Sequence, residues 1–201
     1  KLSIMQPYFF PYIGYFHLID SSDVFVIYDD VNFIKQGYIN RNSILNKDKP
    51  QLISLQVNGA SSFKLINEIK VGSNKRKLLQ TIKQNYSKAP FFEQSIKVIE
   101  DIILDDEENL ARYVGNSITK ICDYLGISTK IIYSSQLEKD NELKSKYKVM
   151  EICRLLNSDH YINSIGGKDL YSKEEFKNNG IELQFLKPKL NSYIQFTHDF
   201  T

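Results

Sequence analysis

The sequence predicts an α/β fold: a three-layer, Rossmann-like sheet, mostly parallel, with additional helices in the second half of the chain. Three observations predict it. The runs "KLSIM" (1–5) and "DVFVIYD" (23–29) are apolar without the alternation of a half-solvated strand, as expected where helices cover both faces of a parallel sheet. Short β-rich runs then alternate with amphipathic segments, the pattern of right-handed crossovers. Finally, polar or glycine-rich clusters follow three of the apolar runs, at the strand ends where open α/β sheets bind ligands.

The elements follow in order. Pro7 and Pro11 stop the first strand, and Pro11 is placed to open a helix carrying Tyr12, Tyr15, Phe16 and Ile19 at helical spacing. After the second strand a polar loop, 29–50, leads to a third, "QLISLQV", and the alternating "LINEIKV" (65–71) reads as a fourth at an edge. Ser73 can cap a helix over 74–86, and Pro90 can start another through "APFFEQSIKVIEDII". The next helix, within 105–126, has acidic residues in its first turn and Gly126 as its stop. "STKIIYSS" is a strand, "KSKYKVMEICRLLN" a helix and "DHYINS" a strand. "GGKDLYSKEEFKNNG" makes a turn plus helix before the strand "IELQFLK", and the polar stretch 138–146 reads as a mobile surface segment. The whole is expected as a single α/β domain over 1–201, with 74–125 a helical insertion or subdomain.

A hydrophobic content of 42% supports a real core, while 26 basic against 24 acidic residues is too even to argue for a nucleic-acid surface. The basic stretch 72–88 reads as a solvated helix face. No run is long and apolar enough to span a bilayer, and the N-terminus lacks a signal-peptide pattern. The two cysteines, Cys122 and Cys153, sit in helical patterns without metal-ligand spacing, so a reduced, cytoplasmic chain with no metal site is expected.

Three clusters can carry chemistry: Gln6 with Tyr8 after the first strand, Asp29 and Asp30 with the loop to Asn42 after the second, and "SIGGKDLYS" (164–172). Either aspartate can serve as general base or hydroxyl acceptor, and an Asx-type turn that merely closes the strand suits the pair equally. Asn40, Arg41 and Asn42 offer many donors of fixed geometry for a carboxylate or phosphate, with Lys35 as a second cation; the bland reading is a loop stapled by side-chain to backbone bonds. Gly166 and Gly167 can admit an anion to backbone N–H groups or form a tight turn, and Lys168 and Asp169 follow directly. His17, His160 and His198 show no zinc spacing and no nucleophile partner; His17 is kept as a substrate-binding candidate.

Together "QPYFFPYIGYFHLID", "DVFVIYDDVNF", "INRN" and "GGKDLY" resemble the WbqC-like family across most of the chain. Met5 stands where a histidine often precedes Gln-Pro, and the tail ends at "FTHDFT" where longer members continue, so a final helix is expected to be missing. The positions matching the family's motifs are Gln6, Asp29, Asp30, Asn40, Arg41, Asn42, Gly166 and Gly167. The resemblance implies a place in O-antigen or other surface-polysaccharide biosynthesis, as a glycyl (aminoacyl) transferase acting on an amino sugar or nucleotide-linked sugar. Its expected partners are a small sugar substrate and an activated glycyl donor, formed with ATP, as a thioester or as a tRNA ester. No cofactor is specified, and no nucleic acid is expected other than an aminoacyl-tRNA donor. In that scheme Asp29 or Asp30 deprotonates or orients the acceptor, Arg41 and Lys35 neutralise an anion, and Asn40 and Asn42 orient it. The rivals are an ATP-dependent nucleotidyltransferase-like enzyme, resembled through Gly14 and His17 on the first helix, and a non-catalytic sugar-nucleotide binding module.

Overall fold

The structure, a computed structural model, describes residues 1–47, 49–195 and 198–200, with the backbone alone for 194, 195 and 198–200. In chain order the elements begin with β1 (Leu2–Met5), α1 (Ile13–Asp20), β2 (Val24–Ile27), β3 (Arg41–Asn46) and β4 (Lys49–Ser54). They continue with β5 (Val57–Asn58), β6 (Lys70–Val71), α2 (Lys75–Tyr86), α3 (Phe92–Ile103) and α4 (Leu110–Leu125). The last are β7 (Lys130–Tyr133), α5 (Ser145–Leu155), β8 (His160–Ser164), α6 (Lys173–Asn178), β9 (Glu182–Leu186), β10 (Tyr193–Gln195) and β11 (His198–Phe200).

Internal contacts divide the chain into two compact units. The first comprises Lys1–Gln6, Tyr12–Asp30 and Gly126–Lys189, and the second Pro7–Pro11, Val31–Leu125 and Leu190–Thr201. Residues 74–125, expected as a helical insertion or subdomain, fall within the second.

The first unit holds a five-stranded parallel sheet in the order β7-β2-β1-β8-β9. In chain order these are the third, second, first, fourth and fifth strands of the sheet, which is the Rossmann order. The predicted α/β, Rossmann-like class is therefore what the chain adopts. Helices cover both faces. The ring of Tyr15, from α1, meets Phe25 edge-on at 5.5 Å on one face. On the other, Leu2, Ile4 and Val26 pack with Val149, Ile152 and Cys153 of α5 and Phe176 of α6. Tyr161 of β8 stacks on Phe176 at 5.7 Å. Burial on both faces explains why β1 and β2 carry continuous apolar runs.

The second unit corrects several expectations. Residues 41–46, expected as part of a polar loop, form β3, and "QLISLQV" contributes β4, its antiparallel partner, rather than a third strand of the main sheet. A hairpin needs only a tight turn, whereas a parallel partner needs a crossover, and the two residues between Asn46 and Lys49 allow only the former. "LINEIKV" is split: Ile66–Glu68 is a 3₁₀ turn and only Lys70–Val71 is strand.

Helix starts shift as well. α1 begins two residues after Pro11 and α3 two after Pro90. Ser73 does not cap α2; Asn74 occupies that position and spends its carboxamide on Gln56 N–H (2.8 Å) and Ser54 O (2.9 Å). Asp105 to Glu108 precede α4 rather than form its first turn, and Asn109 accepts from Arg112 N–H at the helix start. Leu78, Leu79 and Ile82 give α2 its buried face, leaving Arg76 and Lys77 exposed, while Lys75 is half-buried with its ammonium 4.8 Å from the centre of the Tyr113 ring.

Phe25 is fully buried between sheet and α1, so Phe25→Ala is expected to cost about 3–5 kcal/mol, read as a lowered urea midpoint. A loss below about 1 kcal/mol would show that α1 does not seal this face.

Candidate functional site

Parallel strands put all their carboxyl ends at one edge, and the register brings them level. Met5 lies opposite Ile27, and Leu2 opposite Tyr161, so Gln6, Tyr28 and the start of the 165–170 turn emerge side by side. With neighbouring strands about 4.8 Å apart, three strand ends fit within roughly 10 Å. The chain lays β2 and β7 on one side of β1, then returns to place β8 and β9 on the other. The β1/β8 boundary is thus the switch point at which such sheets open a crevice.

Asp29 and Asp30 emerge next to it and face different partners, as adjacent residues on an extended chain must. Asp29 is 2% exposed, and its carboxylate accepts from Ser135 N–H (2.9 Å) and Ser135 Oγ–H (2.6 Å), tying the turn after β7 to the end of β2. Asp30 Oδ2 lies 2.7 Å from Lys139 Nζ and 3.1 Å from Lys148 Nζ. Lys148 also donates to Asp30 O at 2.8 Å and sits 5.3 Å from the centre of the Tyr28 ring; Lys139 donates to Ser134 O. The side chains of Asp30, Lys139 and Lys148 are 9%, 1% and 8% exposed. Burial by itself pushes the Asp30 carboxyl up, but the bond from Lys139 and the charge of Lys148 outweigh it and hold the group below the ordinary aspartate range. A carboxylate so held is a weak proton acceptor. Burial and the neighbouring Asp30 charge push the Tyr28 hydroxyl upward, keeping it a neutral donor.

Sequence reasoning missed Ser135, Lys139 and Lys148. Lys139 lies in the stretch expected to be a mobile surface segment, and its buried ammonium corrects that expectation. Lys148 did leave a signal: it falls four residues before Ile152 on the buried stripe of α5, where a charge requires a partner.

At the end of β8, Gly166 and Gly167 differ. A Cβ on Gly167 would lie 2.4 Å from Asn163 Nδ2, so its lack of side chain serves close packing. A Cβ on Gly166 would meet nothing nearer than Ser164 Oγ at 3.9 Å, and Lys168 and Asp169 are exposed beside it. The Gln6 carboxamide, half-buried, makes no hydrogen bond among the described residues. His17 is half-buried in α1. His160 pairs with Asp159 (2.7 Å) and Glu182 (3.1 Å), and His198 lies in β11, where only the backbone is described. Among the described residues no group of three or more His, Cys, Asp or Glu could hold a metal ion.

The remaining candidates belong to the second unit. Asn40 Nδ2 donates to Leu55 O (2.9 Å), and Arg41 donates through Nε to Gly37 O (3.0 Å) and through Nη2 to Gln36 O. Asn42 Nδ2 donates to Phe9 O (3.1 Å) and Phe10 O (2.6 Å) while Oδ1 accepts from Ser43 N–H. These are stapling bonds; they hold Phe10 at a left-handed φ of +47°. Lys35 is exposed, and Tyr8 packs edge-on against Tyr38 at 6.1 Å.

A five-stranded parallel sheet in the Rossmann order, with polar groups at its carboxyl edge, defines the class: an α/β, Rossmann-like protein. The WbqC-like protein family matches residues 6–201, and the chain belongs to that family. It is also similar to the uncharacterized protein Rv1507c of Mycobacterium tuberculosis, 28% identical over 180 residues, covering 88% of this chain and 77% of that one. No solved structure matches. Among the described residues no helix is long and apolar enough to cross a membrane.

Two outcomes follow. Asp30→Asn strands two buried ammoniums and is expected to cost about 3–5 kcal/mol at pH 7. Because the folded pKa is lowered, this difference from the parent is full above the unfolded aspartate value of about 3.9 and fades as pH falls through the folded one. Urea titrations from pH 7 to acid read it, and a pH-independent difference contradicts the pairing. Asn42→Ala leaves two carbonyls without their donor and is expected to cost about 1–3 kcal/mol, read as a lowered melting midpoint.

Proposed function

We propose that the protein is a glycyl (aminoacyl) transferase acting on an amino sugar or nucleotide-linked sugar in surface-polysaccharide biosynthesis, with its site at the carboxyl edge of the parallel sheet. The observation that carries the location is the Rossmann strand order, whose switch point is flanked by the uncommitted Gln6 carboxamide and by Gly166, Lys168 and Asp169. Membership of the WbqC-like family supports the reaction class.

In this reading the acceptor amine attacks the carbonyl carbon of an activated glycyl ester, thioester or mixed anhydride. The new C–N bond forms as the C–O or C–S bond breaks, and the amine proton passes to a base. Asp30, ionised and engaged by two lysines, suits positioning better than proton removal, and Asp29 is likewise committed to Ser135. Both brace the edge. Gln6 and the exposed Gly166 backbone are placed to bind the reacting groups, and Asp169 to take the proton. The donor is an activated glycine: a mixed anhydride formed with ATP, a thioester on a thiol carrier, or an ester on tRNA.

The test incubates the full chain with a nucleotide-linked amino sugar and, separately, glycyl-tRNA, a glycyl thioester, or glycine with ATP, and follows the sugar by mass spectrometry. One donor is expected to place glycine on the sugar amine, and Gln6→Ala to slow that transfer with folding intact. Asp169→Asn is expected to cut it about 10²-fold or more as the acid–base group. Absence of transfer from all three donors sinks the reading. Release of pyrophosphate from ATP without glycyl transfer assigns the site to nucleotidyl transfer instead.

A further inference from the structure

The second unit contains a cavity of about 410 Å³ of a different chemical character. Ile44 of β3, Ile53 of β4, Ile82 and Tyr86 of α2, and Phe92 of α3 form its walls, with Phe10 as a further wall. Among the described residues that line it none is charged. Three of its polar side chains are engaged within the protein: Asn42 with the Phe9 and Phe10 carbonyls and Ser43 N–H, Ser95 Oγ with Phe91 O (2.8 Å), and the Tyr86 hydroxyl with Leu45 N–H (3.1 Å); the hydroxyls of Ser43 and Tyr193 complete the polar lining. A sugar, base or phosphate lodged there would give up more water than these few hydroxyls replace, an unfavourable exchange. A hydrocarbon chain gives up no hydrogen bonds on entering such a mostly apolar site and gains from the apolar surface it removes from water. The volume lies within the usual range for small-molecule sites, about 300–1,000 Å³.

Two further features fit an amphiphile. Phe91, on the cavity lining, is 69% exposed and extends the apolar surface outward to solvent. Phe10 keeps a backbone conformation that a bulky residue rarely adopts, fastened by both Asn42 bonds, so the fold spends strain to keep this ring as a wall. We propose that the cavity binds the hydrocarbon chain of an amphiphilic ligand, fatty-acyl or isoprenoid, with the polar head left in solvent. This inference does not depend on the chemistry assigned to the carboxyl edge.

Calorimetry of the full chain with dodecanoic acid and with farnesol, each below its aggregation concentration, tests it. At least one is expected to bind saturably at one site per chain, and which one does so distinguishes the fatty-acyl from the isoprenoid source. Ser95→Phe, which fills the cavity from α3, is expected to weaken binding at least about tenfold while the melting midpoint is retained. Ala89→Phe fills it from the α2–α3 connection and serves the same reading should the first variant fail to fold. No saturable binding of either chain overturns the proposal, as does unchanged affinity in the filled variants. Concentration-dependent dimerisation that Ser95→Phe abolishes, without chain binding, also overturns it by assigning the surface to a second copy.

Discussion

The carboxyl edge of the first unit depends on one buried ion cluster. Asp30 leaves the end of β2 and meets two ammoniums in a place where each of the three side chains is nine-tenths buried. Desolvating such groups is expensive, and only close pairing offsets it, so the cluster holds whatever is attached to its members. Lys139 attaches the segment after β7, and Lys148 attaches α5. Asp29, pointing the other way, fastens the same post-β7 turn through Ser135. Two adjacent carboxylates thereby set the height of one end of the sheet, and the switch point beside them inherits a defined shape.

This alters the meaning of the paired carboxylates. A catalytic base must be free to accept a proton near neutral pH, and a buried aspartate bonded to two lysines is the opposite case. In the proposed reading the chemistry of the edge passes to Gln6, Gly166 and Asp169, while Asp29 and Asp30 supply rigidity. Preorganised sites need such supporting residues as much as reacting ones.

The second unit shows the same division of labour with amides in place of ions. Asn40, Arg41 and Asn42 direct their donors to backbone carbonyls, closing the start of the β3–β4 hairpin and fixing Phe10 in its left-handed turn. With these side chains spent on the backbone, the cavity beside them is lined mostly by apolar groups.

The sequence by itself determined the parallel sheet and most of its helices, because apolar periodicity and proline placement are local signals that burial on both faces then rewards. It also placed polar groups at three strand ends, and β1, β2 and β8 do end side by side at one edge. The tertiary structure decided what those groups do. Lys148 lies 118 residues from Asp30, so no spacing rule links them, and the charge of Lys139 was indistinguishable from the solvated lysines around it. "QLISLQV" could pair either way until the turn at Asn46–Lys49 made it a hairpin partner. Asn40-Arg41-Asn42 is equally a set of anion donors or of backbone staples, and only the position of the neighbouring carbonyls chose the second. Propensity is written residue by residue, whereas the partner of a buried polar group is set by which distant segment the packing brings within about 3 Å.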